Sequence, residues 1–398
     1  MRILIHTDEY YPTCAACAYR MKSFADVFAA NGNEVTVITS SANKSNGDFQ
    51  LQKEKILFSP AIRMKKKTAL MRMINNLSFA VTSVVTSLSA GKCDVVITTS
   101  PPPLVSISGW LIAKLKRAKL VYDVRDIWPD VALEMNSFGE NSFYCKIFAA
   151  IASFMYNHAD MVTTVSPGKV RKIKEKLSRN KEKVKFVGNG FDESILTSKI
   201  DTEFSKDYEF DNGFTCVYIG NIGLAQGLES VLDVAAATKH KDVKFLLFGT
   251  GAEKDNLEKK AKEAALNNVK FCGVIPHDKV FTILTRAQLS FISLKSAKMK
   301  DSVPTKIYEA LGVGCPVLLV AEGDACTIVD ESEMGYCVSP DNSGELVKVF
   351  DRIIDNYSQI YAKREYSKEL IKRKYSRTCI ANDFEVQIKK LLEMGNKS

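Results

Sequence analysis

Histidine is scarce in this chain, at four of 398 residues, and no stretch approaches the roughly 18–20 uninterrupted apolar residues of a membrane-spanning helix. The nearest, Leu77 to Leu88, is broken by Ser and Thr. Chemistry that needs several imidazoles has little to draw on. His158 and His240 end helical segments, His277 follows Pro276 in a turn, and His6 ends the first strand, where a satisfied structural role is expected. G-x-S-x-G, P-loop and H-E-x-x-H patterns are all missing, which excludes serine hydrolases, P-loop nucleotidases and zincins. The sequence holds no short-period repeat and no low-complexity tract. Its ten Cys are scattered without zinc-ligand spacing. Cys14 and Cys17 make a lone C-x-x-C near a helix start; a redox pair is one reading, small-residue packing in a tight loop the expected one. The opening MRILIHTDEYY meets Asp8 and Glu9 before any long apolar core forms. It is expected to be a first buried strand rather than a signal peptide, and most thiols are expected to be reduced.

What is present is a soluble globular composition, 46% hydrophobic and 25% charged, in a chain long enough to predict two domains. The net charge of +9 is uneven. Arg63, Lys65, Lys66, Lys67 and Arg72 fall in AIRMKKKTALMRMINNLSFAV, which contains no acid. That segment reads either as a solvated loop or as a basic patch leading into an amphipathic helix (Leu70, Met71, Met73, Ile74, Leu77) on an anionic membrane surface. A second basic stretch, Lys169 to Lys185, carries Glu175 and Glu182 and predicts an exposed helix. Neither is interleaved with aromatics, so no nucleic acid partner is expected.

Short apolar strands alternate with helix-length segments. Strands are predicted at Ile3–His6, Glu34–Thr39, Val95–Thr98, Leu120–Asp123 and Met161–Val165, with helices such as Ala18–Ala30 and Phe143–His158. The polar stretch from Asp192 to Gly213 reads as a linker. The rhythm restarts at Thr215–Ile219, Lys244–Phe248, Val269–Cys272, Leu289–Ser293 and Pro316–Val320. This predicts parallel α/β architecture: a doubly wound domain over 1–195, another over 196–375, and an amphipathic helix over 376–398 packing back on the first. Ligands of such sheets bind beyond the C-terminal strand ends, so the chemistry is expected in the loops there, in a cleft between the domains.

Several of those loops carry suitable groups. In GNIGLAQGL, Gly220 and Gly223 permit close backbone approach, and the helix after Gln226 offers free N–H groups; the loop is an anion site or a turn that needs glycine for geometry. GTGAEKDNLEK has Lys254 where a dinucleotide fingerprint needs a third glycine, so Gly249 and Gly251 are expected to floor a nucleoside instead. In DSVPTKIYEALGVGCPVLL, Lys306 and Glu309 share one helix face, the cation suited to a phosphate and the acid to ribose hydroxyls; Asp301 precedes the helix, where it can hold sugar hydroxyls. The alternative there is a Pro-started helix whose acids favour its dipole. In YDVRDIWPD, Arg125 and Asp126 follow a strand, either as cleft residues or as a surface pair. Thr13 to Ala18 are small residues before a helix carrying Arg20, and SPPP (Ser100 to Pro103) rigidifies another strand end.

With YDVRDIWPD, VSPG (Val165–Gly168), GNGFD (Gly188–Asp192), GNIGLAQGL and VPTKIYEALGVGCPVL, nearly the whole chain resembles a family 4 retaining glycosyltransferase of the GT-B fold. It most resembles the bacterial subgroup that builds O-antigen and capsule, including L-fucosaminyl and related N-acetylamino-sugar transferases. The family's E-x7-E motif maps onto Asp301 and Glu309, which implies that Glu309 binds the ribose and Asp301 the donor sugar. Asn221 and Gln226 stand where the family often has Arg and Lys, leaving the diphosphate to backbone donors and Lys306. The family's frequent cleft His appears as Arg125.

The resemblance thus implies a catalytic set of Asp301, Arg125 and Asp126. It implies a donor set of Gly220, Asn221, Gly223, Gln226, Gly249, Gly251, Lys306 and Glu309, and an acceptor side of Thr13, Ala16 and Arg20. It implies a UDP-sugar donor, a lipid-linked saccharide acceptor, no metal or other cofactor, and a place on the inner face of the cytoplasmic membrane through Arg63–Arg72. A sugar-nucleotide epimerase or hydrolase of the same shape, or a silent nucleotide-binding partner of polysaccharide assembly, are the alternatives.

Overall fold

The computed structural model describes residues 1–13, 16–43, 53–63, 69–134 and 142–395. They form two compact units. One comprises Met1–Asn189 together with Arg377–Ser398, the other Gly190–Ser376.

The first unit runs β1 (Arg2–His6), α1 (Ala16–Ala30), β2 (Glu34–Ser40), β3 (Lys55–Ser59), α2 (Ala69–Ser87), β4 (Val95–Ser100), α3 (Pro103–Lys116), β5 (Lys119–Val124), α4 (Asp130–Glu134), α5 (Phe143–His158), β6 (Met161–Thr164), α6 (Pro167–Glu175) and β7 (Val184–Phe186). Its sheet is all parallel, in the order β3-β2-β1-β4-β5-β6-β7. Parallel strands covered on both faces read as continuous apolar runs. β1 and β4 do so, and their buried side chains alternate between two cores. Leu4, Val96, Ile112 and Met155 lie on the face covered by α2, α3 and α5. Ile3, Ile5, Phe24 and Phe384 lie on the other.

The second unit runs α7 (Thr202–Lys206), β8 (Thr215–Ile219), α8 (Glu229–Ala237), β9 (Lys244–Phe248), α9 (Lys254–Glu263), β10 (Val269–Gly273), α10 (His277–Arg286), β11 (Leu289–Ser293), α11 (Lys306–Val313), β12 (Val317–Val320), α12 (Asp324–Ser332), β13 (Gly335–Val338), α13 (Ser343–Asp355), α14 (Tyr357–Tyr361) and α15 (Arg364–Tyr375). Its parallel sheet has the order β10-β9-β8-β11-β12-β13. Strand order therefore reverses between β1 and β4 in one unit and between β8 and β11 in the other. Those reversals are the crevices where open α/β sheets take ligands.

One expectation changes. The stretch from Asp192 to Gly213 is not a linker. Asp192 and Asp201 each cap a short helix by accepting from a backbone N–H, and Ile195 and Phe210 are buried in the core with Phe248. Its apolar anchors are irregularly spaced, so no periodicity betrays them. The last segment is the single helix expected, and it packs back on the first unit. Ser376 is extended and ends α15, after which α16 (Arg377–Gly395) packs on α1, with Phe384 5.1 Å from Phe24 and 5.9 Å from Phe28 between ring centroids. Most described cysteines are free thiols, as expected; Cys326 and Cys337 are disulfide-linked, with Cα atoms 5.6 Å apart. Cys14 and Lys65, Lys66 and Lys67 lie outside the described residues.

Candidate functional site: two strand-order crevices

In the second unit the loops after β8 and β9 cross at backbone contact. Gly220 and Gly249 have φ of +139° and +137°, a region L side chains avoid, and a Cβ on Gly249 would run into the Gly220 carbonyl. Gly220 N–H donates to the Phe248 carbonyl at 2.9 Å, and Ile222 N–H to that of Thr250 at 2.9 Å. Gly251 lies against the Ile222 carbonyl in the same way. Packing the β8 loop is thus the work the structure gives Gly249 and Gly251. The β8 loop closes on itself: Gln226 Oε1 accepts from Gly223 N–H at 3.2 Å, with the Asn221 amide 3.5 Å away. It is stitched across the crevice to the end of β11, because Ser293 Oγ donates to the Gln226 carbonyl at 2.6 Å and Lys295 N–H to that of Ala225 at 2.9 Å.

Lys306, the first residue of α11, reaches back into this loop. Its ammonium donates to the Tyr218 hydroxyl at 2.9 Å and stands 4.1 Å above that ring's centroid. Tyr218 in turn donates to the Asn221 carbonyl at 2.5 Å. Burial pushes Lys306 down to about 8, against the pull of Glu309. A cation is thus held under a glycine loop, at a helix start, with Glu309 half-buried in the first turn of the same helix. Such a constellation favours an anion. Asp301 is buried in the loop before α11. Gly220, Asn221, Gly223, Gln226, Gly249, Gly251 and Lys306 are therefore one assembly. Tyr218 and Ser293 belong to it and were missed, because both sit inside strands whose apolar pattern reads as core.

In the first unit, the loops after β1 and β4 border a cavity of about 230 Å³ lined by Thr7, Asp8, Glu9, Cys17, Arg125 and the Pro101–Pro102 turn. Arg125 is pinned there, donating from Nε to Thr99 Oγ1 at 3.1 Å and from its terminal nitrogen to the Pro101 carbonyl at 2.6 Å. Arg125 and Asp126 are not an ion pair with each other. Lys169 takes both, donating to the Arg125 carbonyl at 2.6 Å and to Asp126 at 3.1 Å. Lys169 is 8% exposed, so the helix expected to be plainly exposed turns one lysine inward. Burial, then Glu9, pushes the Asp8 carboxyl up to about 6. Burial raises the Cys17 thiol, which makes it a poor redox nucleophile. His6 is fully buried between Thr98 and Ser83, both at 3.0 Å, and burial holds it neutral, down to about 3.

The expected acceptor residues separate. Thr13 is half-buried and donates to the Tyr10 carbonyl at 2.9 Å, and Ala16 is exposed at the start of α1. Arg20 points inward instead: its side chain is 2% exposed and pairs with fully buried Asp123 at 3.0 Å. It also donates to the carbonyls of Val187 and Gly188. Its donors are spent on closing the unit, which corrects its assignment to an acceptor contact.

Residues 17–190 match the family model described as "Glycosyl transferase 4-like domain", and residues 199–377 that described as "Glycosyl transferases group 1". The chain is 24% identical over 404 residues to the putative colanic acid biosynthesis glycosyl transferase WcaI of Escherichia coli, covering 94% of this chain and 98% of that one. A crystal structure of Anabaena HepE in complex with UDP superposes with a TM-score of 0.75 at 17% identity, covering 98% and 100% of the two chains. Sucrose-phosphate synthase of Thermosynechococcus elongatus gives 0.81 at 15% identity, covering 99% and 100%. The two doubly wound sheets are the GT-B architecture. This chain is a glycosyltransferase of the GT-B fold, related to family 4.

Proposed function

We propose that the enzyme transfers a sugar, of the N-acetylamino-deoxy class, from a UDP-sugar to a lipid-linked saccharide during bacterial surface-polysaccharide synthesis, with the anomeric configuration retained. The observation that carries this reading is the half-buried Lys306 ammonium under the Gly220 loop. As the glycosidic bond to the donor breaks, negative charge grows on the departing diphosphate. A cation and backbone N–H groups already in place stabilise that charge without reorganising. Glu309, one turn into α11, accepts from the ribose hydroxyls, and Asp301 faces the sugar. No step in this reading draws on a metal. Arg125 and Asp126 orient the acceptor side.

Two relatives support the finer points: HepE was crystallised with UDP, and WcaI is assigned to colanic acid synthesis. A lipid-linked acceptor places the enzyme at the cytoplasmic face of the membrane, where the Arg63–Arg72 segment meets anionic lipid. No described helix is long and apolar enough to cross a membrane. An epimerase or hydrolase would need imidazoles around the sugar, and none of the four His lies in the loops after β8, β9 or β11.

The test is calorimetric titration with UDP, GDP and ADP, followed by product analysis with a lipid-linked saccharide. UDP is expected to bind most tightly, and Glu309→Ala to weaken it at least tenfold. Unchanged affinity and turnover in that variant would remove the ribose role.

A further inference from the structure

Between Lys55 and Tyr122 the sequence has eleven Lys and Arg and a single acid, Asp94. Outside that segment, 44 basic residues face 45 acidic ones. The whole positive excess of the protein thus lies in the sixth of the chain that builds β3, α2, β4 and α3. Asp94 is itself paired with Arg2. The helices α2, α3 and α5, which cover one face of the first sheet, contain no acidic residue at all.

On α2 the apolar residues do not all turn inward. Phe79 is fully buried, but Leu77, Val81 and Val85 are 54%, 61% and 66% exposed, and Leu88, in the 3-10 turn that follows, is 68% exposed. Their spacing of four, four and three keeps them on one line down the helix, about 16 Å long at 1.5 Å per residue. Scattered exposed aliphatics are ordinary; a continuous line of four on one helix is a surface with a purpose. Along the neighbouring α3, Leu111 and Leu115 are also exposed, one turn apart, beside exposed Lys114 and Arg117. Arg63 and Arg72 are exposed before and within the first turns of α2.

We infer that the outer face of α2 and α3 is a membrane-docking face, its occupant an anionic lipid bilayer. Leu77, Val81, Val85 and Leu88 enter the acyl boundary, and the flanking Arg and Lys side chains meet the headgroups. An interfacial helix binds in this way, by buried apolar area plus attraction to anionic lipid. A second copy of the chain is a poorer occupant, since a two-fold contact would set this acid-free basic surface against itself. The inference deepens the peripheral placement proposed above and rests on it for the acceptor only. It also moves the apolar contact from the start of α2, where Met71, Met73 and Ile74 are half-buried, to its second half.

The experiment is co-sedimentation of the full chain with vesicles of phosphatidylcholine alone and of phosphatidylcholine with phosphatidylglycerol. The wild type is expected to bind the anionic vesicles at least tenfold more tightly. Val81→Ser/Val85→Ser should lose about tenfold or more at both low and high salt, because the lost contact is apolar. Lys114→Gln/Arg117→Gln should lose about thirtyfold at low salt and little at high salt. UDP affinity, measured in parallel, should be unchanged in both variants, so failure of the donor reading shows separately. Wild-type binding retained by Val81→Ser/Val85→Ser overturns the proposal. So does a solution dimer that this variant dissociates without any change in vesicle binding.

Discussion

Lys306 and Tyr218 are joined twice, by a hydrogen bond of 2.9 Å and by an ammonium 4.1 Å from the ring centroid. The contact ties the first residue of α11 to the end of β8 and holds a cation that burial pushes down to about 8. A phosphate beside it favours the charged form. In the proposed site, free enzyme therefore titrates near 8 and nucleotide-bound enzyme higher. Above pH 8 binding takes up a proton, and UDP affinity falls as pH rises. Calorimetry in two buffers of different ionisation enthalpy should show that uptake at pH 8.5, and Lys306→Met should abolish it. Flat affinity from pH 7 to 9.5 would exclude Lys306 from the phosphates.

The crossing of Gly220 and Gly249 leaves no room for a methyl group. Gly249→Ala places a Cβ against a carbonyl at a φ that L residues avoid. It is expected to cost roughly 2–4 kcal/mol of stability and to weaken UDP binding through the displaced β8 loop. Urea unfolding and titration on the same preparation check both.

For Arg20 the expectation is structural. Arg20→Met leaves Asp123 buried without its partner and should destabilise by about 3–5 kcal/mol. Arg20→Met/Asp123→Leu should recover much of that loss. Chemical denaturation of the three variants decides. A stable Arg20→Met with a raised acceptor KM would restore the acceptor role.

Asp8 offers a pH test in the first unit. Its carboxyl is raised to about 6 in the folded protein, from the ordinary 3.8. Between those values the folded state holds more protons than the unfolded one, so this group's contribution to stability falls as pH rises through the window. Asp8→Asn removes the loss and should make the protein more stable at pH 7 by on the order of 2 kcal/mol, with little change at pH 3.5. Melting curves at the two pH values measure the difference.

Much of the second unit was legible because glycine and proline punctuate it. Gly220, Gly223, Gly249 and Gly251 mark the loops, and the Pro304-Thr305-Lys306 run marks the start of α11 within one residue. The ten strands that sequence patterning identified are present. The three it missed, β3, β7 and β13, are all edge strands, with half-exposed side chains and weak apolar signal. Arg20 misled for the opposite reason. Nothing local shows that a helical arginine will find Asp123, Val187 and Gly188, more than a hundred positions away. Lys169 is a similar case. The exposed line on α2 reads in sequence as ordinary helix core, and only the packing shows which apolar residues were left outside.

Helix α16 supplies Ala381, Phe384 and Ile388 to a core whose other members, among them Met21, Phe24 and Phe28 of α1, all lie before Asn189. The whole of the second unit separates these pieces in sequence. During synthesis at about 5–20 residues per second, that unit takes roughly 10–40 s to emerge. For that interval α1 shows its aromatic face without its cover. The earliest part of the chain to be made is therefore among the last to be completed. A ribosome stalled before Arg377 would release a protein with an intact second unit and a sticky, unfinished first one.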